Sequence, residues 1–341
     1  MKEGFSMNKP HEPPTKLLKM LTLNRNIADL TKIPDFNDDI ASFSSGYKGE
    51  LSIDHDLNYI LDDHFRLHNL RLPINDWHFE IDTLLILKNF FLILEIKNLK
   101  DIIMIDHEKG IMTQHTNGEI RTYQDPILQV EKQARQLDYW LTQRGYTIPI
   151  ETLVVFVNKN VHLKDNHHER VIYPFRLSHK YYEFKEKLQY LPSIPTQELS
   201  QMLINSHERH NPDFLEKYNL KEEDFLPGYL CEKCGQKTIH RMGYAWKCSP
   251  CNFIDRQAPL NRLKERYLLF GPEITARQAS EWLQVPVPTA GFMLRNYGFT
   301  KVGKKKGTKY NMEFDHSTAF QFLLDYSDQL YKRKLDESFR D

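Results

Sequence analysis

The stretch 80–98, EIDTLLILKNFFLILEIKN, constrains the fold of this chain more than any other. Two apolar runs of Leu, Ile and Phe flank the polar pair Lys88-Asn89, a pattern typical of two β-strands joined by a tight turn. We therefore expect an apolar β-hairpin at the centre of an α/β domain.

Charged residues interrupt this hairpin near its open end. In a turn that pairs Leu87 with Phe90, counting outward brings Asp82 directly opposite Glu95, with the two Cβ atoms about 5 Å apart. Lys97 lies two residues beyond Glu95, and because side chains alternate along a strand it shares the same face of the sheet. One face of the hairpin is therefore predicted to present an aspartate, a glutamate and a lysine together.

This arrangement of charges favours a metal site. Two carboxylates at such a separation repel each other unless a positive charge lies between them. A divalent cation, Mg2+ or Mn2+, would supply that charge, with oxygen ligands from Asp82 and Glu95. Lys97 could then orient or deprotonate a water molecule, or hold a phosphate. The alternative is a strand that leaves the core with its charges in water, which suits one charged residue better than three.

An upstream glutamate is a candidate third acid. Glu50 ends the segment 46–50, GYKGE, and falls on one helical stripe with Ile53 and Leu57. The sequence predicts a helix that begins near Gly46 and carries Glu50 in its first turn, facing the sheet. The helix dipole alone also favours a glutamate there. Its place on the apolar stripe indicates a third acidic member of the site.

The segment after the hairpin predicts the rest of an α/β domain. Residues 101–123 contain two turn signals and are expected to extend the sheet as a meander. Asp125 followed by Pro126 predicts the start of a helix that runs to about residue 144. A buried strand is expected at 150–157, so that strand, helix and strand form a crossover onto a parallel neighbour.

Two glutamines lie on the flank of this helix. Gln129 and Gln133 are one turn apart, and both could reach the rim of the acidic site. Further along, 171–177 predicts an edge strand, and residues 180–227 read as helices that link this domain to the next.

The acidic motif resembles that of the PD-(D/E)XK nuclease superfamily and, more narrowly, the nuclease-related domain of bacterial proteins. Glu50, Asp82, Glu95 and Lys97 carry the resemblance, which covers about 44–188, under half of the chain. It implies a restriction-endonuclease-like fold, a mixed sheet flanked by helices. It also implies Mg2+- or Mn2+-dependent hydrolysis of phosphodiester bonds.

One residue departs from the family pattern and another follows it. Asp82 comes after Ile81, whereas the superfamily takes its name from a proline at that position; this branch commonly tolerates the difference. The family carries a glutamine at the position of Gln129, beside the site. The resemblance therefore implies catalytic roles for Gln129 and, one turn later, Gln133.

The four cysteines of the chain form a C-x2-C-x13-C-x2-C pattern: Cys231, Cys234, Cys248 and Cys251. This spacing is typical of two metal knuckles, and four thiolates suit Zn2+ in a closed, structural site far better than an iron–sulfur cluster. We expect a zinc ribbon at 228–257. Its basic residues, with Tyr244 and Trp246 exposed, would suit nucleic acid. Alternatively, Trp246 packs the small core of the ribbon.

The C-terminal segment 258–341 predicts a helical, winged-helix-like domain. A helix is expected at 259–270, and two short helices joined by a break at 285–288 make a helix-turn-helix candidate. Two β-prone pieces flank 303–307, GKKKG, which resembles a basic wing.

This segment is also locally basic. Residues 271–310 contain seven Lys and Arg residues and two acids, a net charge of +5. A basic face of this kind is expected to contact nucleic-acid phosphates. The candidate residues are Arg277, Arg295, Lys301, Lys304, Lys305, Lys306 and Lys309.

Composition sets the remaining bounds on this chain of 341 residues. Its formal net charge of zero argues against nucleic-acid binding over the whole surface but allows a local basic patch. No apolar run approaches the ~20 residues that cross a bilayer, and the start has no signal-peptide pattern, so we expect a cytoplasmic protein. The expected segments are a lead-in at 1–43 with a helix packed on the next domain, the nuclease-like domain at 44–188, a helical linker at 189–227, the ribbon at 228–257 and the last domain at 258–341.

Three functions fit this sequence. The leading hypothesis is a metal-dependent nuclease, with DNA the favoured substrate and the two C-terminal modules delivering it. The second is a catalytically inactive DNA-binding regulator or scaffold. The third is a zinc-stabilised adaptor that binds protein.

Overall fold

The computed structural model describes 9–164, 168–235, 239–242, 245–303 and 307–338, with the backbone alone for 239–242 and 333–338. It divides into two compact units. Unit 1 comprises Met1–Glu12 and Ser45–His210, and unit 2 comprises Pro13–Ser44 and Asn211–Asp341. Within the described part of the chain, no helix is long and apolar enough to cross a membrane.

The helices are α1 (Thr15–Asn26), α2 (Asn37–Ser52), α3 (Asp54–Leu57), α4 (Pro126–Thr142), α5 (Leu177–Leu188), α6 (Thr196–Asn205), α7 (Phe214–Lys217), α8 (Ala258–Phe270), α9 (Ala276–Leu283), α10 (Val287–Asn296) and α11 (Gln321–Ser338). The strands are β1 (Phe65–Ile74), β2 (Trp77–Ile86), β3 (Phe91–Lys97), β4 (Asp101–Asp106), β5 (Ile111–Thr116), β6 (Glu119–Gln124), β7 (Ile150–Phe156), β8 (Val161–Lys164), β9 (Val171–Ile172), β10 (Ile239–Met242), β11 (Ala245–Cys248), β12 (Ile254–Asp255), β13 (Glu273–Thr275), β14 (Thr300–Val302) and β15 (Lys309–Asn311).

A five-stranded mixed sheet forms the centre of unit 1, in the order β1-β2-β3-β7-β9. β1, β2 and β3 are antiparallel, whereas β3, β7 and β9 are parallel. The hairpin register is the predicted one: Thr83 pairs with Leu94 and Ile86 with Phe91. The N–H of Leu87 donates to the carbonyl of Phe90 at 3.0 Å, which closes the two-residue turn. The crossover from β3 through α4 to β7 is also as predicted.

Side chains of the hairpin alternate between two apolar cores on opposite faces of this sheet. Leu84 belongs to the core that α4 and α6 cover, and Leu85 to the core that α3 and α5 cover. Because the period of a strand is two residues, Asp82, Glu95 and Lys97 belong to the face covered by α4. This alternation brings the predicted acids and the glutamines of α4 to the same side.

α4 begins as the sequence predicts. The Asp125 carboxylate accepts the N–H of Ile127 at 2.8 Å, and Pro126 occupies the first helical position, where no backbone donor is needed. This cap fixes where the helix starts on the sheet. It therefore sets which residues of α4 lie over the end of β3.

The meander differs from the prediction. Residues 101–123 do form three strands, but β4, β5 and β6 do not extend the central sheet; they join β8 in a second sheet of order β6-β5-β4-β8. Asp101 has a φ of 67°, so the chain turns sharply at the start of β4. The predicted edge strand 171–177 is only β9, because Pro174 begins a 3-10 turn that leads into α5.

Two further elements of unit 1 differ from the sequence prediction. β1 was not predicted, because Asn69, with a φ of 49°, and Pro73 interrupt its alternating pattern. The supposed linker 189–227 contains α6, which packs on β1 and buries Leu199 and Leu203 completely. Unit 1 therefore continues well past the predicted boundary at 188.

The predicted lead-in at 1–43 lies largely in unit 2, where α1 is a core element. Leu18 and Leu21 of α1 are fully buried, and α1 packs against α8 and α11. Arg25 at its end pairs with Glu265 of α8 at 3.0 Å and with Glu232 at 3.3 Å. These ion pairs join α1 to α8 and to the segment that contains the cysteines.

The C-terminal elements of unit 2 follow the predicted order. Thr275 caps α9 through a reciprocal capping box with Gln278, and residues 284–286 separate α9 from α10. The strands β13, β15 and β14 form a small antiparallel sheet in that order. β14 and β15 flank the predicted wing, of which 304–306 lie outside the described residues.

Replacement of a buried leucine in α6 tests whether this helix is part of the core. Leu199→Ala should lower the free energy of unfolding by about 2–5 kcal/mol, because it leaves a cavity between α6 and the sheet. Gln201→Ala, at an exposed position of the same helix, should change it by less than about 0.5 kcal/mol. Urea denaturation of the full chain measures both. Equal, small effects would show that α6 is a linker after all.

Candidate active site

Glu95 lies at the centre of a hydrogen-bond network and is only 2% exposed. Its Oε1 accepts from Lys97 Nζ at 2.6 Å and from Gln129 Nε2 at 2.7 Å. Its Oε2 accepts from Gln133 Nε2 at 2.8 Å, and Lys97 Nζ also donates to Gln129 Oε1 at 2.9 Å. The structure thus gathers three of the residues singled out by sequence around the carboxylate of a fourth, Glu95.

Asp82 lies beside Glu95 on the neighbouring strand. Its Oδ2 accepts the N–H of Ile96 at 2.8 Å, and its Oδ1 accepts no hydrogen bond from the described residues. Burial and the charges of Glu95 and Glu50 raise the pKa of Asp82 well above its usual range. The three acids therefore act on one another electrostatically, as ligands of a shared cation would.

Glu50 reaches this site from a different part of its helix than predicted. α2 begins at Asn37, so Glu50 lies in the last turn and not the first. Gly49 allows the end of α2 to approach β3 closely, because a Cβ at this position would lie 2.5 Å from the Cβ of Asn98. Asn98 in turn donates to the carbonyl of Ser45 at 2.7 Å. Of the two glycines in 46–50, Gly49 is the one that the close approach of α2 to Asn98 requires.

Asn69 is a site residue that the sequence analysis missed. The residues on either side of Asn69 in β1 pair with Thr83 and Ile81 of β2, so Asn69 lies opposite Asp82. The side-chain amide of Asn69 donates a hydrogen bond to the carboxylate of Glu50. Burial raises the pKa of Glu50 despite this hydrogen bond, and the charge of Glu95 adds to the rise. The signal available in the sequence was an asparagine inside the apolar segment 65–74, because asparagine adopts a positive φ, here 49°, more readily than most residues.

The donor set fits a hard divalent cation. The Oε2 atom of Glu95 accepts one hydrogen bond and so keeps a free acceptor position, and Asp82 Oδ1 is also free to bind. The Oε1 atom of Gln133 is buried without a hydrogen-bond partner. Because Glu95 can only accept, the amide of Gln133 presents its nitrogen to Glu95 and leaves this oxygen for a further donor, such as a water molecule.

The four cysteines form a second candidate metal centre, in unit 2. Their Sγ atoms all lie within 4.8 Å of one another, with 3.6 Å between Cys231 and Cys251 and 3.5 Å between Cys234 and Cys248. Thiolates bound to one Zn2+ at about 2.3 Å in a tetrahedron lie about 3.8 Å apart. None of the four cysteines forms a disulfide, so the sulfurs could hold a metal together.

The two cysteine pairs have the same local geometry. Gly235 follows the first pair with a φ of 70° and donates its N–H to the carbonyl of Cys231 at 2.8 Å. Asn252 follows the second with a φ of 57° and donates to the carbonyl of Cys248 at 2.9 Å. Glycine and asparagine are the residues that adopt this conformation most readily. Each pair therefore has the backbone geometry of a metal knuckle.

Trp246 is not an exposed residue of the ribbon. It is 5% exposed, and its ring lies 3.9 Å from that of Tyr229 between centroids. The alternative interpretation, that Trp246 packs the small core, is the correct one. Tyr244 lies outside the described residues.

The basic residues of the C-terminal segment differ in their partners. Arg277 pairs with Glu281 at 3.1 Å, and Lys309 pairs with Glu273 at 2.6 Å. Among the residues that the structure describes, Arg295 and Lys301 have no carboxylate partner and are exposed. Lys304, Lys305 and Lys306 lie outside the described residues.

One of three comparisons with known proteins matches the part of the chain that carries the acidic site. Residues 45–157 match the family model of the nuclease-related domain. Searches of curated proteins and of solved structures found no significant match. The matched segment contains all seven residues of the acidic site, whereas the cysteines and the C-terminal basic residues lie outside it. The seven are Glu50, Asn69, Asp82, Glu95, Lys97, Gln129 and Gln133. Unit 1 therefore contains a nuclease-related domain.

The repulsion between the acids predicts that Asp82 destabilises the metal-free fold. A raised pKa in the folded state means that ionisation of Asp82 costs stability once the pH exceeds its unfolded value of about 3.9. Asp82→Asn keeps the acceptor for Ile96 and removes the charge. It should raise the free energy of unfolding at pH 7 by about 0.5–2 kcal/mol in the presence of a chelator.

The same effect should depend on pH in one direction only. The gain from Asp82→Asn should shrink as the pH falls towards about 4 and be absent below it, where the aspartate is protonated in both states. Asp138→Asn, on the exposed side of α4, is the matched control and should change little. Urea denaturation at both pH values measures the difference. A loss of stability at pH 7 in Asp82→Asn would contradict the proposed repulsion.

Proposed function

We propose that this protein is a metal-dependent nuclease that hydrolyses phosphodiester bonds, with DNA as the favoured substrate. The observation that carries the proposal is the contact of 2.6 Å between Lys97 Nζ and Glu95 Oε1, inside a nuclease-related domain and beside Asp82. A lysine, a buried glutamate and an aspartate on two adjacent strands are the groups that metal-assisted hydrolysis of a phosphate ester requires.

Asp82 and Glu95 would hold Mg2+ or Mn2+. When bound, such a cation stabilises negative charge on the phosphate and makes a water molecule more acidic. Glu50 would support this site through its charge and its hydrogen bond with Asn69. The free acceptor positions on Asp82 and on Oε2 of Glu95 support this assignment.

Lys97 and the glutamines would position the reacting groups. Gln129 and Gln133 hold the two oxygens of Glu95 from one side of α4, which fixes the plane of its carboxylate. The ammonium of Lys97 would move from Glu95 to a phosphate oxygen or to the attacking water. The unpartnered Oε1 of Gln133 would accept a hydrogen bond from that water and orient it.

Loss of the lysine tests the catalytic assignment. Lys97→Ala should lower the rate of cleavage about 100-fold or more and leave nucleic-acid binding unchanged, because the cation site and unit 2 remain intact. The control is Lys132→Ala, at an exposed position of α4. The measurement is cleavage of mixed DNA and RNA substrates with Mg2+ or Mn2+. Full activity in Lys97→Ala would refute the assignment.

We also propose that the cysteines hold one structural Zn2+. The sulfur separations of 3.5 and 3.6 Å and the two matching knuckles support a closed site with four thiolate ligands. Cys248→Ser should abolish zinc binding by this site and lower the melting temperature of unit 2. Elemental analysis and calorimetry of the full chain measure both. Unchanged zinc content in this variant would contradict the assignment.

Unit 2 would deliver the substrate through Arg295 and Lys301. Both are exposed. Arg295 of α10 donates to the hydroxyl of Tyr310 on β15 at 3.4 Å, and Tyr310 pairs with Lys301 of β14, so the two basic residues are linked through Tyr310. In contrast, Glu281 and Glu273 already neutralise Arg277 and Lys309. The wing lysines Lys304, Lys305 and Lys306 remain candidates from sequence alone.

The double variant Arg295→Ala/Lys301→Ala should weaken DNA binding about 10-fold at low salt and reduce the dependence of affinity on salt by about two ions. Lys217→Ala/Lys221→Ala, two exposed lysines elsewhere in unit 2, is the matched control. Fluorescence anisotropy over a range of salt concentrations measures both. An unchanged salt dependence would place the nucleic-acid contacts elsewhere.

A second function is favoured by the state of Glu95. Its carboxylate already accepts hydrogen bonds from three side chains, and the ammonium of Lys97 balances its charge without a metal ion. These contacts suit a catalytically inactive DNA-binding regulator or scaffold. Binding of DNA without cleavage of any substrate, in Mg2+ and in Mn2+, would favour this function over the nuclease.

A further inference from the structure

A second group of metal-ligand side chains lies in unit 1: His11, Asp54 and His68. One nitrogen or oxygen atom from each lies within 4.8 Å of the other two. The histidines are 5% and 0% exposed, and Asp54 is partly buried. The charge of His11 also acts on Glu50, so this cluster adjoins the acidic site, yet it shares no residue with the nuclease assignment.

Both imidazoles approach the same carboxylate oxygen. Asp54 Oδ1 lies 3.2 Å from Nε2 of His11 and 3.7 Å from Nε2 of His68. Nitrogen and oxygen ligands bound at about 2.0–2.2 Å in a tetrahedron lie about 3.3–3.6 Å apart. The two separations, 3.2 and 3.7 Å, are each within about 0.1 Å of this range, so the three groups are spaced closely enough to share a single ion.

The tautomer of His68 suits a ligand. Its Nδ1 lies 3.0 Å from the hydroxyl of Thr83, a fully buried partner, and with Nδ1 as the donor the lone pair is on Nε2. That Nε2 atom is fully buried and has no hydrogen-bond partner. An unsatisfied buried nitrogen costs free energy, and a metal ion would remove this cost. Ligating histidines commonly have such an outer hydrogen bond.

The backbone holds His11 at this position. Lys9 forms a parallel bridge with Leu67 of β1, the N–H of His68 donates to the carbonyl of Lys9 at 3.1 Å, and Lys9 Nζ donates to the carbonyl of His68 at 2.8 Å. At Lys9, two residues before His11, the chain is thus hydrogen-bonded to the strand that carries His68. His11 is therefore a fixed partner of His68.

We propose that His11, Asp54 and His68 form a site for a transition-metal ion of the Zn2+ class, separate from the cysteine centre and from the acidic site. Two imidazoles and one carboxylate select such ions over Mg2+, which prefers oxygen ligands alone. Three protein ligands leave a fourth position for water or a substrate group. The rings are now stacked with centroids 3.6 Å apart, so ligation would turn the His11 ring until its lone pair faces the ion.

Metal content of the full chain tests this proposal. The protein is stripped of metal, reloaded with Zn2+ in a large excess of Mg2+ that occupies the acidic site, and freed of unbound ions. We expect two Zn2+ per chain in the wild type. His11→Gln and Asp54→Asn should each retain one, held by the cysteines. His55→Asn, an exposed histidine next to Asp54, is the matched control and should retain two.

Cobalt substitution separates the two centres by spectroscopy. Co2+ at the cysteines gives a strong thiolate charge-transfer band, whereas Co2+ at the histidine site gives visible bands without it. Cys248→Ser should keep the second spectrum and lose the first, and His68→Gln should do the reverse. One Zn2+ per chain in the wild type, or a second ion that persists in His11→Gln and Asp54→Asn, would overturn the proposal. Neither outcome depends on nuclease activity.

Discussion

The register of the central hairpin, held by apolar cores on both of its faces, is the constraint on which the acidic site of unit 1 depends. The turn at Lys88-Asn89 fixes the pairing of β2 with β3, and this pairing leaves Asp82 and Glu95 adjacent on one face. A shift of one residue in this pairing would place the two acids on opposite faces of the sheet. The apolar residues of two cores therefore enforce a contact that is unfavourable by itself.

The surrounding elements make this contact tolerable. The capped start of α4 places Gln129 and Gln133 over the end of β3, and Lys97 supplies a positive charge. The close approach of α2 at Gly49 then adds a third acid to a site that already holds two. A fold that gathers negative charge against such a cost is suited to bind a cation, and the nuclease-related family of this segment is consistent with that use.

Sequence reasoning succeeded where the determinants are local. The strand period and the two-residue turn gave the register, and the spacing of the cysteines gave the knuckles. Sequence reasoning failed where contacts with distant segments of the chain determine the structure. Nothing near Leu18 indicates that α1 is buried in unit 2, and the last-turn position of Glu50 follows from a helix that starts upstream of the motif. The sequence did not indicate Asn69 because this residue, with its positive φ, interrupts the alternating pattern of β1, and the strand itself was therefore not predicted.

The most direct test of the central claim is the position of Mn2+ in a crystal of the full chain, located by anomalous scattering. The account predicts an ion about 2.2 Å from Oδ1 of Asp82 and from an oxygen of Glu95, with the ammonium of Lys97 displaced from Oε1. The Glu95→Gln variant should lose this ion. A crystal saturated with Mn2+ that shows no ion at these carboxylates, with the contact between Lys97 and Glu95 intact, would contradict the account.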